Sequence, residues 1–88
     1  MRIQVRRTGG FAGIERCAEV DTSGRADARA WQALAERAIA AGRGTPPPGV
    51  PDGFGYEITV DGTTVYAADP RLTEEQRELV SRVLKEGA

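Results

Sequence analysis

Phe54-Gly55-Tyr56-Glu57-Ile58-Thr59-Val60-Asp61-Gly62-Thr63-Thr64-Val65-Tyr66-Ala67 carries the strongest local signal in the chain. Phe54, Tyr56, Ile58 and Val60 alternate with Gly55, Glu57, Thr59 and Asp61, the period of a strand with one buried face. Asp61-Gly62 has the composition of a two-residue primed turn, in which both central residues take positive φ. That turn sets Val60 opposite Thr63, Ile58 opposite Val65 and Tyr56 opposite Ala67. The apolar rows of the two strands then agree, so the hairpin is specified twice.

Downstream, Asp69-Pro70 closes the second strand, and Thr73 followed by Gln76 forms a capping box that starts a helix. Leu79, Val80, Val83 and Leu84 make its apolar stripe, with Glu74 and Glu75 suited to its N-terminus and Lys85 to its C-terminus. Upstream, residues 42–53 hold Pro46-Pro47-Pro48, which stiffens this loop toward polyproline II and makes it a rigid spacer. Before it, Trp31, Leu34, Ala35, Ala38 and Ile39 share one stripe of a helix running from about Arg25 to Gly42. Arg29, Gln32, Glu36 and Arg37 lie on the opposite side. Thr22-Ser23-Gly24 is a turn in which Ser23 is the candidate N-cap, and Trp31 belongs to the core.

At the N-terminus, Ile3 and Val5 alternate with Arg2, Gln4 and Arg6 in a first strand. Its antiparallel partner runs from Glu15 to Asp21, with Ala18 and Val20 inward and Cys17 and Glu19 outward. Arg16 then falls on the inward row and requires a bulge or an early edge position. The elements follow as strand, strand, helix, strand, strand, helix. This predicts a single α+β domain over residues 1–88, a four-stranded antiparallel sheet with two helices on one face. Tracing the chain directions brings the glycine loop, the proline loop and the Asp69-Pro70 corner to one end, with the Asp61-Gly62 turn at the other.

The 88 residues allow one modest core. Hydrophobic content of 40% and charged content of 28% are those of a folded soluble chain. No apolar run is long enough to span a bilayer and Met1 to Arg7 has no apolar signal core, so a cytoplasmic protein without a membrane partner is expected. Histidine is absent, which removes the commonest general base and the commonest zinc ligand. Cys17 has no second cysteine to pair with and reads as a small packing residue. Ser23, Thr73 and Cys17 lack an evident base, and Glu74 and Glu75 serve a helix dipole; no catalytic residue, metal or cofactor is therefore expected. The net charge of −1 lacks the basic excess that nucleic-acid binding needs. Arg2, Arg6 and Arg7 face Glu15, Glu19 and Asp21 across the first hairpin, where cross-strand pairing accounts for them.

What remains is a binding module. Thr8-Gly9-Gly10-Phe11-Ala12-Gly13-Ile14 places three glycines around one aromatic between two strands, more than a tight hairpin needs. It is not a phosphate cradle, because a strand pattern follows where a helix N-terminus is required. Two readings stand side by side: a projecting contact loop, or a hairpin loop whose Phe11 folds back over the core.

The first strand with Gly9-Gly10-Phe11-Ala12-Gly13-Ile14, the Val20-Asp21 that ends the second, and Asp52-Gly53-Phe54-Gly55-Tyr56-Glu57-Ile58-Thr59-Val60-Asp61-Gly62 together resemble the emfourin family. The likeness runs from the first strand to the last helix. It implies a small cytoplasmic protein inhibitor of thermolysin-like, protealysin-like zinc metallopeptidases, with the peptidase as partner and the inhibitor a monomer when free. It also implies cleft contacts from Thr8, Gly9, Gly10, Phe11, Ala12, Gly13 and Ile14, helped by Pro47 and Val50 in the neighbouring loop 45–53. Phe11 or Ile14 would supply the bulky apolar side chain that such enzymes favour. The triple proline and the Ala-rich first helix depart from the family's expected pattern. The alternative is a non-catalytic interaction or regulatory module that binds a non-peptidase partner through the same loops or the free sheet face.

Overall fold

Alternation in the two hairpins builds one sheet, and the two helical stripes close over one side of it. The computed structural model describes residues 1–9, 15–44, 54–68 and 71–87, without the side chain of Phe54. The elements are β1 (Arg2–Gly9), β2 (Arg16–Asp21), α1 (Ala28–Ala41), β3 (Phe54–Val60), β4 (Thr63–Ala68) and α2 (Glu74–Glu86). All neighbours are antiparallel, in the order β2-β1-β3-β4, so β1 and β3 are the inner strands. Asp61 and Gly62 take φ of 47° and 86°, and the hairpin has the register expected from its turn.

Ile3, Val5, Ala18, Val20, Ile58, Val60 and Val65 are buried on the inner face of the sheet. Against them pack Trp31, Leu34, Ala35 and Ala38 from α1 and Leu79, Val80, Val83 and Leu84 from α2. This is the expected α+β arrangement. The other face carries Arg2, Gln4, Arg6, Cys17, Thr59 and Thr64, and among the described residues no helix covers it.

Helix α1 begins at Ala28, later than Ser23 predicts, and Ser23 is not its cap. The Ser23 amide donates to the Asp21 carboxylate at 2.9 Å, which holds the turn instead. Asp27 stands at the N-cap position without capping the helix amides. Its carboxylate accepts from Arg25 Nε at 2.9 Å and from Trp31 Nε1 at 3.0 Å. Trp31 is wholly buried, with the guanidinium carbons of Arg25 and Arg82 5.5 and 5.7 Å from its ring centre.

Arg16 needs no bulge. It starts β2 in regular register opposite Arg7, and its guanidinium donates to the Leu84 carbonyl at 2.7 Å. That carbonyl lies in the last turn of α2, where a cation suits both the orphan acceptor and the dipole. Cys17 corrects its sequence reading: it is exposed on the open face and packs into no core. α1 ends at Gly42, where a Cβ would overlap the Val65 side chain, so glycine permits the close approach of this helix end to β4.

Candidate functional site

The strand ends determine which chain segments start together. Gly9 at the end of β1 pairs with Phe54 at the start of β3, Thr8 pairs with Gly55, and Gly55 pairs with Ala68 at the end of β4. Arg43, just past α1, bridges to Tyr66 through two backbone bonds of 3.0 and 2.8 Å. The Arg71 amide donates to Ala68 O at 2.8 Å. The described residues that flank 10–14, 45–53 and 69–70 therefore meet at one end of the sheet, as the traced directions predicted. Asp61 and Gly62 turn at the opposite end, beside Arg2: the Asp61 amide donates to Arg2 O and the Arg2 amide to Asp61 Oδ1.

Of the sequence-predicted contact residues, Thr8 is exposed and Gly9 is half-buried with φ of 106°, a conformation that favours glycine. Gly10, Phe11, Ala12, Gly13, Ile14, Pro47 and Val50 lie outside the described residues.

Gln76 ties the helices together at this end. Its backbone amide donates to Thr73 Oγ1 and its Oε1 accepts from the Thr73 amide, both at 3.1 Å, completing the expected capping box. Its Nε2 also donates to Ala38 O at 3.2 Å, in the last turn of α1. One side chain thus satisfies the start of α2 and the end of α1. The sequence signals the first role through the spacing of Thr73 and Gln76, whereas nothing local signals the second.

On the open face, Arg6 is the centre of an ionic group. Its Nε and Nη2 meet the two carboxylate oxygens of Glu15, each at 2.9 Å, and its Nη1 reaches Glu57 Oε2 at 3.4 Å. Arg2 Nε pairs with Glu19 at 2.7 Å. Pairing of the N-terminal arginines with Glu15 and Glu19 across the first hairpin was expected, while the Glu57 contact was not. The Arg6 guanidinium, helped by the Cys17 thiol, holds the Glu15 carboxyl below the usual carboxylate range. Desolvation and the 3.5 Å bond to Glu15 push the Cys17 thiol up, which disfavours the reactive thiolate.

Near the opposite end, a hollow of about 410 Å³ opens on the sheet face, lined in part by Arg2, Gln4, Asp21, Ser23, Thr59 and Asp61. The Ser23 amide holds the Asp21 carboxyl below its ordinary range, the reverse of the tuning that a general base requires. Among the described residues no three His, Cys, Asp or Glu side chains gather to hold a metal ion, and no helix is long and apolar enough to cross a membrane.

No curated protein and no solved structure matches the chain. A family model described as Emfourin matches residues 5–84, from the middle of β1 into the last turn of α2 and across both loop-bearing hairpins. With nearly its whole length inside that match, the chain belongs to the emfourin family.

Proposed function

We propose that this chain is a protein inhibitor of a thermolysin-like, protealysin-like zinc metallopeptidase and that it blocks the active-site cleft with residues 8–14, assisted by 45–53. Family membership implies metallopeptidase inhibition in general; the cleft, the loops and the class of target are the proposal's own. The observation that carries it is the meeting of the loop-flanking residues Gly9, Arg43, Phe54 and Ala68 at one sheet end. Flanking residues already held by strand pairing reduce the ordering that docking requires. Phe11 or Ile14 fills an apolar subsite, while Thr8, Gly9, Gly10, Ala12 and Gly13 bring backbone close to the enzyme. Pro47 and Val50 brace one side. Such an inhibitor works by occupancy and needs no catalytic residue of its own, and it acts as a cytoplasmic monomer.

The test follows peptide hydrolysis by thermolysin and by a protealysin-like enzyme in the presence of the chain. Inhibition is expected, and Phe11→Ala is expected to weaken it about tenfold while changing stability by less than about 1 kcal/mol. Unslowed hydrolysis at roughly 10 μM chain, where even a complex of about −7 kcal/mol would form, refutes the proposal. A large loss of stability in Phe11→Ala would place the ring in the core and move the contact elsewhere.

A further inference from the structure

The geometry points to Arg6 as a positioning residue: its guanidinium ties Glu15 to Glu57 across β1 and so fixes the residue at which segment 10–14 ends, on which affinity for the metallopeptidase depends. This inference rests on the inhibitor reading.

Arg6 pairs with Cys17 on β2 and with Glu57 on β3, so the three residues form one row across three strands on the open face. The β1–β2 ladder ends at Arg7 and Arg16. Glu15 lies one residue beyond it and is the first residue after segment 10–14. Its carboxylate receives a two-point bond from Arg6 Nε and Nη2, each at 2.9 Å, and a third from Cys17 Sγ at 3.5 Å. A planar two-point pair fixes orientation as well as distance, which a single-point ammonium cannot do. The remaining Arg6 nitrogen reaches Glu57, on the strand that follows segment 45–53. One guanidinium therefore links the residue at which segment 10–14 ends to the strand that follows segment 45–53.

Arg6 and its partners are substantially solvent-exposed, and exposed ion pairs add little to global stability. What the clamp supplies is placement, and placement that precedes docking reduces the ordering that docking requires. Arg6 acts through Glu15, not by touching the peptidase.

The experiment compares the wild-type chain with Arg6→Lys, Glu15→Gln and the double variant. Inhibition constants are measured against thermolysin and a protealysin-like enzyme, and amide exchange at Arg16 is followed in the free chain. Each single variant is expected to weaken inhibition about fivefold, and the double variant also about fivefold instead of the product, because both remove one interaction. Melting temperatures are expected to agree within about 3 °C, and Arg16 exchange to quicken about threefold in each variant as the ladder end loosens. If the single effects multiply, Arg6 touches the enzyme directly and the inference falls. It falls equally if wild type inhibits and neither single variant changes the inhibition constant. Absence of inhibition by the wild-type chain overturns the inhibitor reading and the affinity clause together, while Arg16 exchange still decides whether the clamp holds the loop foot.

Discussion

At Gln76 two physical effects oppose each other, and Gln76→Glu decides between them. Judged from the helix alone, glutamate completes the capping box with Thr73 as well as glutamine does. Its charge would also face the positive end of α2, a gain of up to about 1 kcal/mol. Gln76 is only 2% exposed, however, and its Nε2 is the donor to Ala38 O at 3.2 Å. The Gly42 amide at the end of α1 bonds Ile39 O instead. A carboxylate sets an acceptor against that carbonyl. Losing the bond and stranding a buried acceptor costs about 1–3 kcal/mol, and desolvating the new charge adds roughly 2 more. Net of the dipole gain, a loss of about 3 kcal/mol is expected at neutral pH.

That loss depends on pH in a definite direction. At about 1.36 kcal/mol per pH unit, it raises the introduced carboxyl's folded-state pKa roughly two above its unfolded value near 4.3. A group raised on folding contributes its full stability below the unfolded pKa and loses it as pH rises through the folded one. The protonated form again offers a donor to Ala38 O. The deficit against wild type is therefore expected to be less than about 1 kcal/mol at about pH 4 and complete by about pH 7.5, where it lowers the melting temperature by roughly 10–20 °C. Denaturant unfolding of both proteins at the two pH values measures it. Gln76→Leu, which cannot titrate, is expected to show a deficit of about 2 kcal/mol at both. A Gln76→Glu variant as stable as wild type near pH 7.5, or one with equal deficits at both pH values, refutes the shared-helix role of this side chain.

Two further changes test the packing. Asp27 is held below its ordinary carboxyl range first by Arg25 and then, against desolvation, by Trp31. Its pairing is therefore in place above the unfolded pKa of about 3.9 and is lost as pH falls through the lower folded value. Asp27→Asn is expected to be less stable than wild type near pH 6, with the gap closing toward about pH 2 in denaturant unfolding; a gap independent of pH overturns the pairing. Gly42→Ala places a Cβ into the Val65 side chain. It is expected to cost about 1–3 kcal/mol in thermal unfolding, against the few tenths that alanine usually gains over glycine. A stabilised Gly42→Ala variant contradicts the close approach.

Elements with a repeating pattern were legible in the sequence, because burial of one face imposes its period on the residues. The β3–β4 hairpin shows this best: Asp61-Gly62 and the Tyr56, Ile58, Val60 row independently specify one register. The start of α1 was not legible in the same way. Ser23 has good cap chemistry, yet its amide is held by Asp21, while Asp27 turns its carboxylate to Arg25 and Trp31. Local propensity ranks capping residues but does not reveal which tertiary partner takes the oxygen. Arg16 on an inward row looked like a defect for the same reason, since its partner Leu84 O is 68 residues away. At the candidate site, the meeting of the loop feet followed from strand directions, whereas the contact between Arg6 and Glu57 needed the inner-strand pairing of β1 with β3, which sequence order leaves open.

That strand order also bears on which segments of the chain are left to make the proposed contact. Among the described residues, β2 and β4 each have one side without a neighbouring strand, and such a row of amides and carbonyls is a template for another chain. Near the middle of β2, Gly87 lies so close to Glu19 that a Cβ would come within 2.8 Å of its O and 3.0 Å of its N. In the half of β4 nearer Ala68, Tyr66 exchanges both backbone bonds with Arg43. Strand addition is therefore interrupted at Glu19 on one edge and at Tyr66 on the other. On the proposed reading, the blocking segments belong elsewhere. Segment 10–14 leaves β1 and segment 45–53 enters β3, and these are the two strands with neighbours on both sides. Inner strands are the last parts of a sheet to open. On the proposed reading, the β2-β1-β3-β4 order thus joins one side of each contact segment to an inner strand, where the sheet is last to open.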